Sequence, residues 1–467
     1  MRDGSARRQD LHPTDTSGYN VRQTYSLITS LAGAWRSPRP EFKMINRSSH
    51  TRRSFLKTAA AASTAIALPM YIPSRVLGRD GAKGPNDQIV IGFIGTGGRA
   101  RQLMDQVPEG GRIVAIADCF PDRLAETLDQ KKQPWNTYTD YRQMFDKEQL
   151  DAVVVATPDH GRTLPCMRAM QAGLDVYAEK PLTAYVREGR ILVDAARKLG
   201  RVFQVGSQQR SMEINDFCCA FVRDGKLGKL KKVLGCNYTG PNEMQTFAAE
   251  PIPEGGDWDV WCGPTELRPY NGALRFGWMG WRDYSGGEMT NWGAHGIDQI
   301  QCALGKSQTG PVELWPVTPG PNGKVSMKYD DGVEVSFELE NTGPMGGGIF
   351  VGEDCKMEIN RNKFATNPPD FVKDAPAPAV QDKWEGDGWI ARPHIQNWLD
   401  CIRTRELPNA DVEIGHRSIS VCHLLNITRQ TGRPLKWDPV AETFPDDSEA
   451  SKLLDRPRRK GYELPVM

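Results

Sequence analysis

The chain has 467 residues, 39% of them hydrophobic, which is enough for two ordinary globular domains. Its 59 Lys and Arg residues nearly balance its 58 Asp and Glu residues, and no block of five like charges occurs. This balance argues against nucleic acid and against an anionic membrane surface as partners. The ten cysteines form no Cys-x-x-Cys and no cluster at metal-ligand spacing, so we predict no metal site.

Residues 1–67 are interpreted as an N-terminal extension with an export signal rather than as part of the fold. The run Thr51-Arg52-Arg53-Ser54-Phe55-Leu56-Lys57 is similar to a twin-arginine signal, and small residues follow from 58 to 68. This stretch of 11 residues is too short to span a bilayer, which needs about 20. Met44 is the expected start of the protein. We therefore expect use of the twin-arginine export machinery and a periplasmic or other extracytoplasmic location.

From residue 88 onward, apolar strand-like runs alternate with helical patterns, which indicates a parallel sheet with helical crossovers. Helices are predicted at Arg162–Ala172 and Thr183–Leu199. The predicted strands are Ile89–Ile94, Arg112–Ala117, Ala152–Ala156, Asp175–Ala178 and Val202–Val205. Residues 88–206 are therefore predicted to form an N-terminal Rossmann domain in an α/β protein.

The first strand leads into Gly95-Thr96-Gly97-Gly98-Arg99-Ala100, a G-x-G-x-x-A pattern. Gly95 permits a tight turn, Gly97 lets the backbone approach a pyrophosphate, and Ala100 lets the helix pack closely on the strand. Asp118 follows about 20 residues later, where an acid that binds the ribose is expected. This carboxylate favours NAD, while Arg99 and Arg123 leave NADP open as the alternative.

Three further segments carry residues suited to oxidation of an alcohol. Thr157-Pro158-Asp159-His160 and Glu179-Lys180-Pro181 each follow a predicted strand, at the edge where such a sheet binds its ligands. The segment 286–298 contains His295. A histidine can accept the proton that leaves the hydroxyl, and a lysine can orient that hydroxyl and stabilise negative charge on its oxygen.

These motifs, in this order, resemble the glucose–fructose oxidoreductase/inositol dehydrogenase/MocA (Gfo/Idh/MocA) family over residues 88–446. The resemblance implies that Lys180 faces both cofactor and substrate and that His295 is the catalytic acid/base. His160 would lie beside the nicotinamide or substrate, with backbone capping in its turn as the alternative. The expected cofactor-binding residues are Gly95, Thr96, Gly97, Gly98, Arg99, Ala100, Asp118, Thr157, Pro158, His160, Glu179, Lys180 and Gln208.

One position departs from the family pattern. The family often has an aspartate four residues before the histidine, whereas this chain has Asn291. An amide can orient an imidazole but cannot stabilise its protonated form by charge. Asp298, one helical turn after His295, is the candidate to replace that aspartate. The expected catalytic set is therefore Lys180, His295, Asn291 and Asp298.

Aromatic residues are concentrated in the second half, where five of the 12 tryptophans fall within 35 residues. Indoles in loops rich in glycine and proline suit the C–H faces of a carbohydrate, although they equally suit packing of this insertion against the sheet. The predicted substrate-binding residues are Trp258, Trp261, Trp278, Trp281, Arg282 and Tyr284.

The remaining chain predicts a C-terminal α+β domain over residues 207–446 with a large, mostly antiparallel open sheet. Hairpins are expected within Lys324–Leu339 and Ile349–Ile359, beside a strand in Leu230–Thr239. Residues 364–388 are predicted to be a loop, 392–430 to be helical, and 447–467 to be a C-terminal tail. The family resemblance implies that a partner subunit covers the open face of the sheet, in a homodimer or homotetramer.

The favoured hypothesis is an NAD(P)-dependent oxidoreductase that transfers a hydride between a nicotinamide and a hydroxyl carbon of a sugar, polyol or glycoside. Because no obvious pool of free NAD exists outside the cytoplasm, the cofactor is expected to stay tightly bound. A second hypothesis is a redox-neutral glycosidase or lyase that oxidises C3 transiently, with Tyr284 or Glu288 as an additional acid/base. A third is a sugar-binding protein with a vestigial cofactor site.

Overall fold

The computed structural model describes residues 88–340, 343–376 and 390–465. The predicted export signal in residues 1–67 lies outside the described residues. Within the described ranges, no helix is both long and apolar enough to cross a membrane.

The first half is a six-stranded parallel sheet with its strands in the order β3-β2-β1-β4-β5-β6. Its strands are β1 (Ile89–Ile94), β2 (Gly111–Ala117), β3 (Asn136–Tyr138), β4 (Ala152–Val155), β5 (Asp175–Ala178) and β6 (Phe203–Val205). The connecting helices are α1 (Gly98–Met104), α2 (Pro121–Lys131), α3 (Tyr141–Lys147), α4 (Thr163–Gln171) and α5 (Val186–Leu199). The Rossmann architecture predicted from the sequence is confirmed.

The order of these strands determines where a ligand can bind. The chain runs outward from β1 in one direction to β3 and then in the other direction from β4 to β6, so the order reverses between β1 and β4. At such a reversal the connecting loops diverge and leave a crevice outside the carboxyl ends of the strands. Every residue of β4 and β5 is buried, as expected for parallel strands covered by helices on both faces.

The second half is an eight-stranded sheet in the order β13-β12-β11-β7-β10-β9-β8-β14. Among the described strands of this sheet, β7 and β10 pair in parallel and the other neighbouring pairs are antiparallel. The strands are β7 (Lys232–Cys236), β8 (Glu313–Pro316), β9 (Val325–Lys328), β10 (Glu334–Leu339), β11 (Gly347–Val351), β12 (Lys356–Asn360), β13 (Phe364–Asn367) and β14 (Leu435–Lys436). Both predicted hairpins are confirmed, as β9–β10 and β11–β12.

The prediction of a loop over residues 364–388 was wrong at its start. Residues 364–367 form β13, which pairs antiparallel with β12 and leaves Phe364 and Thr366 half-buried. The surrounding prolines made this segment resemble a loop in the sequence. Edge strands tolerate neighbouring proline better than central strands do, so the prolines do not prevent this short edge strand. The later part of the predicted loop, 377–389, lies outside the described residues.

The helices of the second half are α6 (Glu213–Arg223), α7 (Trp258–Cys262), α8 (Gly272–Gly277), α9 (Glu288–Ala303), α10 (Arg392–Thr404), α11 (Val412–Thr431) and α12 (Ser448–Lys452). Helix α9 packs against α11, β7 and β11 and is buried along most of its length. Glycines permit this close approach, because a Cβ on Gly296 would lie 2.0 Å from the Tyr238 hydroxyl. The sheet therefore fixes the position of α9.

The predicted C-terminal tail is docked on the Rossmann half. Arg456 donates hydrogen bonds to Glu188 of α5 at 2.9 Å and to the carbonyl oxygen of His160 at 2.7 Å. The exposed fractions of Arg456 and Glu188 are 9% and 1%. Further along, Arg459 donates to the carbonyl oxygens of Gly263 and Asp259. The sequence predicted this segment only as a tail, because its partners lie far away in the chain and no local pattern indicates them.

We expect Arg456→Ala to lower the free energy of unfolding by about 3 kcal/mol, because it removes one partner of a buried ion pair and leaves Glu188 poorly compensated. Urea unfolding followed by tryptophan fluorescence measures the change. The control is Lys460→Ala in the same segment, where the exposed side chain makes the expected change less than about 0.5 kcal/mol. Equal stabilities for the two variants would contradict a structural role for the docked segment.

Candidate active site

A cavity of about 560 Å³ lies outside the carboxyl ends of the Rossmann strands. One wall consists of the loops that follow β1, β2, β4 and β5. The opposite wall comes from the second half of the chain, from α7, α8 and the first two turns of α9. The cavity therefore lies between the two halves, as the strand order requires.

The glycine-rich loop leaves open space on the cavity side. Gly95 has a φ of +82°, and a Cβ there would lie 2.9 Å from the backbone of Ala156, so this position requires glycine. Gly97 has an ordinary φ of −65°, yet a Cβ on Gly97 or Gly98 would meet nothing within 4 Å. Both line the cavity, so their missing side chains leave room for a phosphate beside the backbone amides that open α1.

Asp118 lies at the end of β2 and holds this loop in place. Its carboxylate accepts hydrogen bonds from the backbone amide of Thr96 at 2.8 Å, from the Thr96 hydroxyl at 3.0 Å and from the amide of Phe120 at 3.1 Å. Burial raises the pKa of Asp118, although these hydrogen bonds oppose the effect. Asp118 also lines the cavity and retains acceptor capacity for a ribose hydroxyl.

Two polar side-chain atoms beside the cavity indicate that its occupant is polar. The Thr157 hydroxyl and the Gln208 amide oxygen are buried and have no hydrogen-bond partner within the described part of the chain. Both residues line the cavity. Since buried polar atoms without partners are costly, the site fits a ligand rich in hydroxyl and amide groups, as a nicotinamide dinucleotide is.

Glu179, at the carboxyl end of β5, connects two of the loops. Its carboxylate accepts a hydrogen bond from Arg99 Nε at 2.9 Å and one from the backbone amide of Lys180 at 3.1 Å. Its exposed fraction is 3%, and a Cβ on Gly206 would lie 2.9 Å from its carboxyl carbon. The Arg99–Glu179 pair thereby ties the start of α1 to the backbone at Lys180.

Lys180 reaches across the cavity to the second half of the chain. Its Nζ donates hydrogen bonds to Asn291 Oδ1 at 2.8 Å and to the Asn291 carbonyl oxygen at 3.3 Å. Asn291 Nδ2 in turn donates to Glu288 at 3.0 Å, which orients the amide with its oxygen toward the lysine. Burial lowers the pKa of Lys180 to about 8, with Arg99 and Arg361 lowering it further and Glu179 and Asp159 opposing them.

His295 lies one turn further along α9 and also lines the cavity. Its exposed fraction is 4%, and its ring contacts that of Trp292 with centroids 5.8 Å apart. Burial holds the pKa of His295 well below its usual range, and the positive charges of Lys180, Arg361 and Arg99 lower it further. The imidazole is therefore neutral near pH 7.

The expected partners of His295 are engaged elsewhere. Asn291 contacts Lys180 and Glu288 through its side chain, rather than the imidazole. The Asp298 carboxylate accepts hydrogen bonds from Arg210 Nε at 2.8 and 2.9 Å and from the Ser418 hydroxyl at 2.7 Å. Asp298 thus anchors α9 in the protein interior. The two predicted catalytic residues flanking His295 lie about one helical turn from it, but their side-chain hydrogen bonds go to these other groups.

Sequence reasoning missed two residues beside Lys180. Arg162, 3% exposed, donates hydrogen bonds to the carbonyl oxygens of Thr157 and Pro181, and so holds together the turns after β4 and β5. Asp159 is buried, lines the cavity and accepts a hydrogen bond from the Ser285 hydroxyl at 2.9 Å. Burial raises the pKa of Asp159 to about 6. Asp159 was visible in the motif, but nothing in the sequence distinguished it from a turn residue.

His160 is not among the described residues that line the cavity. Its Nε2 lies 2.7 Å from the carbonyl oxygen of Trp261, and its ring packs between Trp261 and Tyr284, at centroid distances of 4.9 and 4.8 Å. Burial lowers the pKa of His160 to about 3. The structure therefore favours the alternative of backbone capping over contact with the nicotinamide.

The predicted substrate-binding residues divide into two groups. Trp261 and Trp278 line the cavity, whereas Trp258, Trp281, Arg282 and Tyr284 are not among the described residues that do. Trp258 stacks on Trp261 with centroids 4.4 Å apart and donates a hydrogen bond to the carbonyl oxygen of Arg268. Tyr284 is fully buried, Trp281 packs on Phe247, and Arg282 pairs with Glu243.

These aromatic residues form a small core of their own with Phe120 of the Rossmann half. Each indole in this core has packing as its first role, which was the alternative left open by the sequence. Trp261 and Trp278 combine that packing with a surface facing the cavity.

Two further cavity residues, Arg275 and Phe276, were not predicted. Arg275 pairs with Asp122 of α2 through hydrogen bonds of 2.9 and 2.6 Å, and its guanidinium lies 3.7 Å from the ring centroid of Phe120. The exposed fraction of Phe276 is 61%, and Arg123 stacks on its ring. The segment containing α8 therefore lies across the β2 side of the cavity, where the adenosine half of a dinucleotide binds in this fold.

Comparison with known families agrees with the fold and site. A model described as "Oxidoreductase family, NAD-binding Rossmann fold" matches residues 89–207. A second, "Oxidoreductase family, C-terminal alpha/beta domain", matches residues 232–464. Both models describe the Gfo/Idh/MocA oxidoreductases.

Among curated proteins, the chain is 28% identical over 143 residues to 2,7-anhydro-N-acetylneuraminate hydratase of Mediterraneibacter gnavus, covering 30% of this chain and 36% of that protein. It is 27% identical over 159 residues to inositol 2-dehydrogenase/D-chiro-inositol 3-dehydrogenase of Lactiplantibacillus plantarum, covering 33% and 45%. The matches thus span less than half the length of these relatives.

Among solved structures, WlbA dehydrogenase of Bordetella pertussis in complex with NADH and UDP-GlcNAcA matches with a TM-score of 0.58 at 17% identity. The match covers 76% of this chain and 99% of that one. At this identity the likeness shows the fold alone. The two family models, which match the Rossmann half and the second half in turn, identify the chain as a member of the Gfo/Idh/MocA oxidoreductase family.

Proposed function

We propose that the protein is an NAD-dependent oxidoreductase that transfers a hydride between the nicotinamide and a hydroxyl carbon of a sugar, polyol or glycoside. The observation that carries this proposal is the single cavity shared by the glycine-rich loop, Lys180 and His295. A dinucleotide-binding loop at one end and proton-transferring side chains at the other are what oxidation of an alcohol needs.

Each part of the cavity has a role in this proposal. When bound, NAD⁺ accepts the hydride at C4 of its nicotinamide ring. Gly97 and Gly98 leave space for the pyrophosphate, and Asp118 binds a ribose hydroxyl. Lys180 and His295 lie where the hydroxyl proton must be removed or returned. Trp261 and Trp278 offer aromatic faces on which the C–H face of a sugar can stack.

The cofactor preference proposed is NAD rather than NADP. Asp118 places a carboxylate where a 2′-phosphate would have to lie, and Arg99 is paired with Glu179. Arg123 pairs with Glu126 and stacks on Phe276. Both arginines that left NADP open therefore already have acidic partners.

We further propose that the protein is exported through the twin-arginine pathway with its cofactor already bound, and that it acts as a homodimer or homotetramer. Tight retention of the cofactor is supported by Arg275, which fastens the segment containing α8 to Asp122 across the cavity. A dinucleotide beneath this segment would leave only after the ion pair breaks.

A second candidate function is a redox-neutral elimination or hydration through a transient ketone. It is favoured by Asp159, a buried carboxylic acid in the cavity in addition to Lys180 and His295. Such a reaction needs another acid/base to move the proton on the carbon next to the ketone. The hydratase among the relatives fits the same idea. The earlier candidates for this role differ in position: Tyr284 is fully buried, and Glu288 is bound to Asn291.

We expect protein purified from the cytoplasm and then denatured to release about one NAD(H) per chain, because the Arg275–Asp122 pair fastens the segment containing α8 across the β2 side of the cavity. Absorbance and mass spectrometry of the supernatant measure the amount and distinguish NAD from NADP. Aldoses, polyols and glycosides that reduce the bound NAD⁺, seen as absorbance at the wavelength of NADH, then identify the substrate class. Absence of released cofactor together with no binding of added NAD or NADP would contradict both enzyme hypotheses. The hypothesis of a sugar-binding protein would then remain.

Substitutions in the glycine-rich loop separate binding from folding. We expect Gly97→Ala to keep wild-type stability but to weaken NAD binding at least about tenfold, because its Cβ enters only the cavity. Gly95→Ala should instead destabilise the fold by about 1–2 kcal/mol or more, because its φ is positive and its Cβ meets Ala156. Calorimetric titration with NAD and thermal unfolding measure the two effects. Unchanged NAD affinity in Gly97→Ala would place the dinucleotide elsewhere.

Incubation of substrate in D₂O distinguishes the two candidate reactions. Simple hydride transfer leaves the neighbouring carbon unlabelled and converts bound NAD⁺ to NADH. A transient ketone acidifies the neighbouring C–H, so deuterium enters that carbon while the cofactor shows no net reduction. We expect the unlabelled result for wild type, read by mass spectrometry. Deuterium that enters in wild type and falls at least about tenfold in Asp159→Asn would establish the redox-neutral reaction instead.

A further inference from the structure

Lys180 is held by a neutral group at the position where related proteins often have a carboxylate. Its Nζ contacts two oxygens of the same residue, Asn291 Oδ1 at 2.8 Å and the Asn291 carbonyl at 3.3 Å. A carboxylate would favour the ammonium form by its full charge, whereas two neutral oxygens accept hydrogen bonds from either form and favour the ammonium much less. The contact therefore positions the nitrogen without adding a charge.

Glu288 keeps this arrangement in one orientation. An asparagine amide can rotate to present either its oxygen or its NH₂ group, and only the oxygen can accept from the lysine. The hydrogen bond from Asn291 Nδ2 to Glu288 at 3.0 Å selects the orientation with the oxygen toward Lys180. Both residues lie in the first turn of α9, which the sheet holds in place.

A neutral amine in this position has its lone pair available. The nitrogen of a neutral lysine has two N–H bonds and one lone pair. With both N–H groups donated to the two Asn291 oxygens, the lone pair is left for the cavity that Lys180 lines. His295 shares this cavity, and its burial together with the positive charges of Arg361 and Arg99 opposes its protonation even while Lys180 is neutral.

We propose that Asn291, oriented by Glu288, is a holder for Lys180 whose contacting atoms are neutral oxygens, and that this holder makes Lys180, and not His295, the group that takes the substrate's hydroxyl proton. The inference rests on the proposed oxidoreductase function. In the step, the C–H bond breaks and its electron pair leaves with the hydrogen as hydride to nicotinamide C4. The O–H bond breaks, its proton binds the Lys180 lone pair, and its electron pair forms the C=O bond. The carbon is oxidised and the nicotinamide is reduced.

The groups around Lys180 agree with this role. Glu179 and Asp159 favour its charged form, Arg99 and Arg361 oppose it, and His295 is neutral near pH 7. Burial is the largest effect and brings the pKa of Lys180 to about 8. At this pKa a fraction of the amine is neutral near pH 7, and that neutral amine binds a proton more tightly than an imidazole whose pKa is held well below its usual range.

The experiment measures the titration of Lys180 without a substrate. Wild type, Asn291→Asp and Glu288→Gln, each with and without NAD, are labelled with trace acetic anhydride from pH 6 to 11, and the peptide containing Lys180 is quantified by mass spectrometry. Only the neutral amine reacts. We expect wild type to titrate at about pH 8, Asn291→Asp at least about one pH unit higher, and Glu288→Gln lower.

Controls separate this effect from general damage. Lys460 is exposed, so its labelling in the same digests should be the same in all variants. Asn409→Asp makes the same chemical change at an exposed position away from the cavity lining and should leave Lys180 unchanged. If Asn291→Asp does not fold, the opposite shift in Glu288→Gln still tests the holder.

A Lys180 that titrates above about pH 10 in wild type, or at the same pH in wild type and Asn291→Asp, would overturn the inference. With any sugar found to reduce the bound cofactor, the oxidation rate should rise with pH through the labelling pKa of Lys180, and this rise should move upward in Asn291→Asp. If the oxidation rate rises at the same pH in wild type and in Asn291→Asp, His295 and not Lys180 is the group that accepts the proton. Failure to bind NAD would contradict the proposed function while leaving the labelling result readable.

Discussion

The site depends on a hydrogen bond between two elements that different parts of the protein hold in place. Lys180 leaves the end of β5, whose position follows from the hydrogen bonds of the parallel sheet. Asn291 lies in the first turn of α9, which packs on the second sheet and is anchored by Asp298 and Arg210. Because neither side chain can travel far, the 2.8 Å contact exists only while both halves keep their relative positions. The geometry of the cavity is thus a property of the interface, and of neither half alone.

Buried charged side chains are mainly paired with side chains of opposite charge. Arg99 with Glu179, Arg210 with Asp298, and Arg456 with Glu188 are each largely buried, and each joins segments distant in sequence. Arg162 has a related role but binds mostly backbone carbonyl oxygens. Pairs of this kind add little net stability relative to apolar packing but are costly to break, so they favour one arrangement of loops over others. Lys180 differs, since its direct hydrogen-bond partners are neutral oxygens.

Local sequence patterns were sufficient to predict much of the fold and the cofactor end of the site. Gly95 and Gly97 could be assigned because positive φ and open space leave few alternatives to glycine, and the hairpin at Gly332 followed from its turn residues. β3 was missed because three residues, two of them exposed, carry no apolar pattern. The partners of Asp298, and the contact between Arg275 and Asp122, depend on residues far away in the chain, which no local pattern reveals. Trp258 and Trp261 lie three residues apart in the same helix, and only packing decides that Trp261 alone reaches the cavity.

The docked C-terminal segment has a consequence for the order of events during synthesis. Residues 454–462 hold the turn at His160 and the end of α7 through Arg456 and Arg459, yet they leave the ribosome after everything they hold. The Rossmann half can begin to fold during translation, but both walls of its crevice acquire their last supports only when this segment arrives. A chain interrupted near residue 450 would contain every residue of the cavity and still lack the contacts that fasten its walls. Maturation of the site is thereby coupled to synthesis of this late segment.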